Sequence, residues 1–123
     1  MKPWIVIAAL SGCLGVAAGA YGHHSLDDMG RQMFETGVAY QMWHSLALLA
    51  VAWLRDRGGP GAAPAHVAGS LFVAGTVMFS GSLYYLGLTG SIALVHAAPL
   101  GGLLLMAGWI ALGWAGIKGG SAR

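Results

Sequence analysis

Three long stretches of the sequence contain no charged side chain. Asp, Glu, Lys and Arg are absent from residues 3–26, 36–54 and 58–117. An α-helix needs about 20 mostly apolar residues to cross a bilayer core, so the first two stretches each hold one span and the third holds two. Soluble domains are roughly a quarter charged residues, whereas this chain is 8% charged. The pattern therefore predicts an all-α, integral membrane four-helix bundle.

The four predicted spans leave no room for a soluble domain. They cover about residues 4–21, 37–54, 67–88 and 99–117 of the 123 residues. Pro99 fits the first turn of the fourth span, because the N–H that proline lacks would have no partner there. We therefore expect residues 1–123 to form a single four-span transmembrane domain.

The segment between the first two spans carries a helix-start signal. Ser25 and Asp28 have the Ser-x-x-Asp spacing of a capping box. The apolar and charged residues that follow separate onto two faces, which predicts a short interfacial helix over about 26–36. The alternative is that this segment extends the second span, with Gly37 as the only interruption.

Lys and Arg are concentrated on one side of the predicted topology. Five of the six Lys and Arg residues lie at the N-terminus, in the middle loop or at the C-terminus, namely Lys2, Arg55, Arg57, Lys118 and Arg123. Only Arg31 lies in the first loop. The positive-inside rule therefore predicts that both termini are cytoplasmic. The net charge of +2 is a topology signal and does not indicate nucleic-acid binding.

Small residues mark one face of the first span. Ser11, Gly15 and Gly19 are spaced four residues apart, which lets helix backbones approach closely in lipid. This face could form a homo-oligomer, or it could pack within the bundle, which we favour. Cys13 is the single cysteine and ends a Leu-Ser-Gly-Cys tetrad that resembles a lipobox. The apolar stretch continues past Cys13, which favours a retained span over acylation.

No Asp, Glu, Lys or Arg lies inside a predicted span. Small four-span exporters that exchange substrate for protons need an intramembrane carboxylate, so its absence argues against that class. The remaining candidates are five histidines. His23, His24, His44 and His96 fall on the predicted outer side, and His66 falls on the cytoplasmic side.

His44 has polar neighbours on its own helical face. Tyr40 and Gln41 precede it by four and three positions, which brings the three side chains together. At 1.5 Å per residue, His44 lies about 10 Å into the second span. We therefore predict a polar pocket at the outer membrane level, where His24 and His44 approach each other. The candidate ligand-binding residues are His24, Tyr40, Gln41, His44, Ser80, Ser82 and Tyr84.

A metal or haem site is the sharper alternative for the histidines. His23 with Asp27, and His24 with Asp28, could chelate a divalent ion if one helix ran through both members of each pair. Adjacent histidines at a helix end more often bond to interfacial water, and the sequence has no CxxCH or HExxH motif. We therefore predict no metal, no cofactor and no catalytic constellation.

Several segments, in order along nearly the whole chain, carry a family resemblance. Residues 15–24 (GVAAGAYGHH) are similar to a Gly-Ala-Phe-Gly-Ala-His segment, and residues 34–47 (FETGVAYQMWHSLA) to a Phe-Glu-Thr…Tyr-Gln-x-x-His-x-Leu-Ala segment. Shorter matches cover 79–84, 99–102 and 107–109. The chain thus resembles domain of unknown function family 423, small membrane proteins related to transmembrane protein 256.

That resemblance places His24 and His44 at the two family histidines, whereas His23 stands where the family usually has Ala. It implies a four-helix membrane protein and no established activity. We expect a non-enzymatic, multi-pass protein of the bacterial inner (plasma) membrane, whose polar pocket binds a small ligand or lipid or packs against a partner. The alternative is a small transporter or channel. A continuous polar path would favour transport, and an apolar lower half would favour binding or structure.

Overall fold

Four long helices make up almost all of residues 2–121, the part of the chain that the computed structural model describes. They are α1 (Pro3–Ser25), α2 (Asp28–Arg57), α3 (Ala62–Thr89) and α4 (Ala97–Ser121), with a 3₁₀ turn at Gly59–Gly61. All four are long and apolar enough to cross a membrane. The predicted all-α four-helix membrane fold is therefore confirmed. Arg123, which entered the charge count, lies outside the described residues.

Each helix packs against its neighbours in the sequence, so α2 and α3 form the centre of the bundle. The short connections make successive helices antiparallel. We call the end that holds Lys2, Arg55 and Lys118 the basic end, and the end that holds Asp27 and the α3–α4 loop the acidic end. The predicted cytoplasmic location of the basic end remains a prediction.

The apolar core fills the half of the bundle nearer the basic end. Val51, Ala65, Ala68 and Phe72 are fully buried between the helices. Trp4 of α1 packs on α3 at Gly69, where a Cβ atom would lie only 2.7 Å from the indole ring. This half is therefore closely packed with apolar side chains.

The turn between α1 and α2 differs from the expected capping box. Ser25 is the last helical residue of α1, and Asp27 caps α2 by accepting a 2.8 Å hydrogen bond from the Gly30 backbone N–H. The cap is thus Asp27, and the box predicted from Ser25 to Asp28 is wrong. Asp27 takes this position because α1 continues through Ser25 and only Leu26 separates the two.

Helix α2 also runs without a break through the segment predicted as a separate interfacial helix over 26–36. Its 30 residues include Gly37, so the alternative of an extended second helix describes the structure. Gly37 lies against Tyr84, and a Cβ there would come within 2.7 Å of the Tyr84 ring. The glycine therefore allows α3 to approach and does not interrupt α2. Each predicted span lies within one helix, and its membrane boundaries remain predictions.

The small-residue face of α1 is used inside the chain. Gly15 faces Met42, and Gly19 faces Val38, both on α2. Ser11 of α1 forms a hydrogen bond with Ser45, which is also on α2. This is the intrachain packing that we favoured, and a homo-oligomer through the same face would have to displace α2.

Candidate functional site

Gln41 joins three helices near the middle of the bundle. Its side-chain Nε2 donates a 2.8 Å hydrogen bond to the Ser11 carbonyl of α1. Its Oε1 accepts a 2.6 Å hydrogen bond from the Tyr84 hydroxyl of α3. Both ends of the buried amide are thus paired, and α1, α2 and α3 are tied at one level.

Two serines extend this polar cluster. Ser45 Oγ lies 2.7 Å from Ser11 Oγ and 2.7 Å from the Gln41 carbonyl oxygen. Since a hydroxyl has a single proton, Ser45 can donate to the carbonyl while accepting from Ser11. Ser80 donates a 2.7 Å hydrogen bond from α3 to the Gly37 carbonyl of α2. We call Ser11, Gln41, Ser45, Ser80 and Tyr84 the central polar cluster.

His44 connects α2 to α4. His44 is only 4% exposed, and its Nδ1 lies 2.6 Å from the Tyr40 carbonyl oxygen. The indole Nε1 of Trp109 donates a 3.0 Å hydrogen bond to His44 Nε2. An indole N–H can only donate, so Nε2 accepts and the ring proton belongs on Nδ1. Both ring nitrogens are therefore paired in the neutral form.

A groove of about 410 Å³ opens between α1 and α3 above this cluster. We call it the α1–α3 groove. All five residues of the central polar cluster and His44 line its floor. Its rim includes Leu10, Leu14 and Val77, which are 60%, 63% and 67% exposed. The groove thus combines paired polar groups on its floor with an apolar rim that faces lipid.

The groove lies deeper than the predicted outer-leaflet pocket. Gln41, His44 and Ser45 are near the centre of the charge-free stretch 36–54. Measured along α2, His44 is about 24 Å beyond Asp28 at 1.5 Å per residue. The site is therefore close to the middle of the membrane-spanning part of the bundle.

Four of the seven candidate residues line the α1–α3 groove, and three do not. Gln41, His44, Ser80 and Tyr84 line it. Tyr40 lies instead in a second groove of about 630 Å³ between α2 and α4, together with Trp109. Ser82 bonds to the Phe79 carbonyl of its own helix.

His24, the seventh candidate, is exposed at the end of α1, where its ring stands 5.0 Å from that of His23. The expected approach of His24 to His44 is wrong because the antiparallel helix α2 already begins at Asp28, about 24 Å before His44. That arrangement puts the end of α1 beside the start of α2, as the contact of Gly22 with Phe34 shows.

The proposed metal pairs are not on one helix. α1 ends at Ser25 and α2 begins at Asp28, so neither His23 with Asp27 nor His24 with Asp28 has helical i, i+4 geometry. All four side chains are exposed, and Asp27 is used as the helix cap. Within residues 2–121, no three His, Cys, Asp or Glu residues form a group that could hold a metal ion.

Three of the residues that complete the site, Ser11, Ser45 and Trp109, were not among the candidates. Ser45 could have been recognised from the sequence, because it follows Gln41 by four positions on the same helical face. Ser11 had been assigned only to helix packing, and its partner depends on how α1 and α2 align. Trp109 carries no sequence signal that links it to His44.

The fold and these contacts define a small four-helix integral membrane protein with a polar centre and a lipid-facing groove. A family model described as "Protein of unknown function (DUF423)" matches residues 18–102. The chain belongs to this family, which confirms the resemblance.

Curated relatives are named only as membrane proteins. UPF0382 membrane protein YwdK of Bacillus subtilis is 40% identical over 122 residues, covering 96% of this chain and 98% of the relative. A UPF0382 membrane protein of Haemophilus influenzae is 37% identical over 121 residues, covering 94% of each chain. No solved structure matches.

Proposed function

We propose that this is a non-enzymatic membrane protein whose α1–α3 groove binds the apolar chain of a membrane lipid. One observation carries the proposal: polar groups on the groove floor are bonded to one another, while the rim is apolar and faces lipid. The bacterial sources of the relatives and their naming as membrane proteins support a place in the bacterial plasma membrane.

The internal pairing of the floor limits what an occupant can gain there. Gln41 uses both its donor and its acceptor within the protein, and the Tyr84 hydroxyl already donates to it. A polar ligand would have to break these bonds, whereas an acyl chain requires none of them. The chain would instead gain van der Waals contact with side chains such as Leu10, Val73 and Val77.

The apolar half of the bundle favours binding over the alternative of a small transporter or channel. Between the central polar cluster and the basic end, the interior is filled by Leu48, Val51, Ala65, Ala68 and Phe72. These side chains are 3% exposed or less. Within the described residues 2–121, the interior of this half therefore contains no continuous polar path, which supports a binding or structural function.

The groove can be tested by filling it. Gly81 lines the groove, and a Cβ atom there would meet nothing within 4 Å, so Gly81→Phe places a ring in the groove without a backbone clash. Gly113 on α4 is also unobstructed but lies outside the groove, so Gly113→Phe is the matched control. The probe is a phosphatidylcholine with a diazirine in one acyl chain, crosslinked in reconstituted vesicles and mapped by mass spectrometry.

We expect Leu10, Val73 and Val77 to be labelled several-fold more than Ile110 of α4, although Ile110 is the most exposed of the four. Gly81→Phe should remove this excess, and Gly113→Phe should leave it. Uniform labelling of α1, α3 and α4 that does not respond to Gly81→Phe would overturn the proposal.

A further inference from the structure

A second cavity, of about 480 Å³, lies where α1, α2 and α3 meet at the basic end. We call it the basic-end cavity. Its wall includes Lys2, Trp4, Ile7, Arg55, Asp56 and His66. Ile7 also lines the α1–α3 groove, so the two spaces adjoin along α1. The two spaces together, which we call the path, run along α1 from Lys2 to Leu14, with charged residues at the bundle end and an apolar rim over the central polar cluster towards the middle.

The charges around the basic-end cavity leave one positive charge in excess. Lys2 Nζ lies 3.3 Å from Asp56 Oδ1, and this pair is neutral overall. Arg55 donates one 3.1 Å hydrogen bond to the Ala62 carbonyl oxygen. A guanidinium has five N–H donors, so most of those of Arg55 remain available to an anion. A group with one negative charge therefore complements this cavity.

The length of the two adjoining spaces suits a lipid whose headgroup lies in the basic-end cavity and whose tail lies along the α1–α3 groove. Lys2 and Leu14 bound the path on α1 and are separated by about 18 Å at 1.5 Å per residue. Leu10 and Leu14 are exposed to lipid, so a chain can enter the groove sideways from the bilayer. Arg55 is the first charged residue after the charge-free stretch 36–54, so the predicted end of the second span puts it at the level of the lipid headgroups.

We infer that the basic-end cavity holds the phosphate of an anionic phospholipid whose acyl chain occupies the α1–α3 groove. This inference rests on the proposed function and adds the headgroup, its charge and the leaflet. The lipid belongs to the leaflet at the basic end, which the positive-inside rule predicts to be the cytoplasmic one. Anionic lipids are attracted to such basic sites.

The test measures which lipid the purified protein retains. The protein is reconstituted with equal amounts of phosphatidylglycerol and phosphatidylcholine of identical chains, extracted in mild detergent, and examined by native mass spectrometry. Arg55→Gln removes the available charge at similar size. Arg57→Gln is the matched control, because Arg57 is exposed and stacks on Trp53 outside the cavity.

We expect wild-type protein to retain phosphatidylglycerol preferentially and Arg55→Gln to lower that preference about fivefold, as for one basic residue at a membrane surface. Lys2→Gln, which leaves Asp56 unpaired, should lower it as well, and Arg57→Gln should not. Equal retention of the two lipids by the wild type, or a preference unchanged in both Arg55→Gln and Lys2→Gln, would overturn the headgroup inference.

Gly81→Phe separates this inference from the proposed function. It should reduce retention of both lipids, because it blocks the tail site and leaves the charges unchanged. If Gly81→Phe removes both lipids while Arg55→Gln and Lys2→Gln leave the selectivity unchanged, the groove binds chains and the headgroup assignment is wrong. If Gly81→Phe removes neither lipid, the proposed function itself fails, and with it the headgroup inference.

Discussion

Helices α2 and α4 both pack against α3, but by different means. The α2–α3 contact contains hydrogen bonds from Tyr84 to Gln41 and from Ser80 to the Gly37 carbonyl. The α3–α4 contact is made by glycine backbones: a Cβ on Gly101 would lie 2.5 Å from the Phe79 backbone nitrogen. Gly108 receives the Phe72 ring in a similar way.

This difference shows why the groove lies where it does. Lipid supplies no hydrophobic drive for association, so helices in a membrane associate through close packing or through hydrogen bonds. Glycine contacts bring the backbones of α3 and α4 together and leave no space between them. Long polar side chains such as Gln41 and Tyr84 can hold helices further apart, and the α1–α3 groove lies above them. The α1–α3 groove thus lies on the side of α3 that carries Ser80 and Tyr84.

The largest effect is expected where the glycine contact is tightest. Gly101→Val would place a branched side chain against the backbone of Phe79, which cannot move aside as a side chain would. We expect the free energy of unfolding to fall by about 3 kcal/mol. Gly113→Val on the same helix meets nothing within 4 Å and is the control. The measurement is reversible unfolding in SDS, followed by circular dichroism, and equal stability of the two variants would contradict the close-packing account.

The next effect tests the polar side of the comparison. Gln41→Leu leaves the Tyr84 hydroxyl without its acceptor and the Ser11 carbonyl without its donor. We expect a loss of about 1–2 kcal/mol in the same unfolding measurement, since buried interhelical hydrogen bonds in membranes are individually modest. Gln32→Leu, at an exposed position of α2, should have little effect. If both substitutions cost the same, the central polar cluster does not stabilise the bundle.

A smaller loss is expected at the contact between α2 and α4. Trp109→Phe keeps an aromatic ring but removes the donor to His44 Nε2. Because His44 is buried, its unpaired nitrogen should cost about 1 kcal/mol. Trp114→Phe is the control, since this exposed tryptophan lies near Lys118 on the outer face of the same helix. A Trp109→Phe variant as stable as Trp114→Phe would show that the Trp109–His44 hydrogen bond does not stabilise the contact between α2 and α4.

The sequence predicts the four helices of the fold, but it does not predict which side chains meet between helices at the site. The charge-free stretches are sufficient for four spans, because any helix of that length and apolarity suits a bilayer. The helical spacing of Gln41 and His44 predicted that they share a face, and both line the α1–α3 groove, whereas Tyr40 lies in the groove between α2 and α4. The partners on other helices depend on how the helices align, and that alignment follows from the exact turn at Ser25 and Asp28.

His24 shows the consequence of that dependence. Its predicted proximity to His44 depends on a second span that starts at about residue 37, which would put both histidines near the same end of the bundle. In the structure the second helix starts nine residues earlier, at Asp28. With α2 beginning at Asp28, the α1 residues at the level of His44 and Ser45 are near Ser11. Spacing within one helix is set by the 3.6-residue turn, whereas pairing between helices is not.

The smallest effect compares two buried serines two positions apart on α3. Ser80 is 1% exposed and bonds across to the Gly37 carbonyl of α2, whereas Ser82 is 5% exposed and bonds to Phe79 of its own helix. Ser80→Ala should cost about 0.6 kcal/mol, the average for an interhelical bond in a membrane. Ser82→Ala should cost less, because the Phe79 carbonyl lies within α3 and joins no second helix. Equal losses in SDS unfolding would mean that the Ser80 bond does not contribute to the α2–α3 contact, leaving the close approach at Gly37 to account for it.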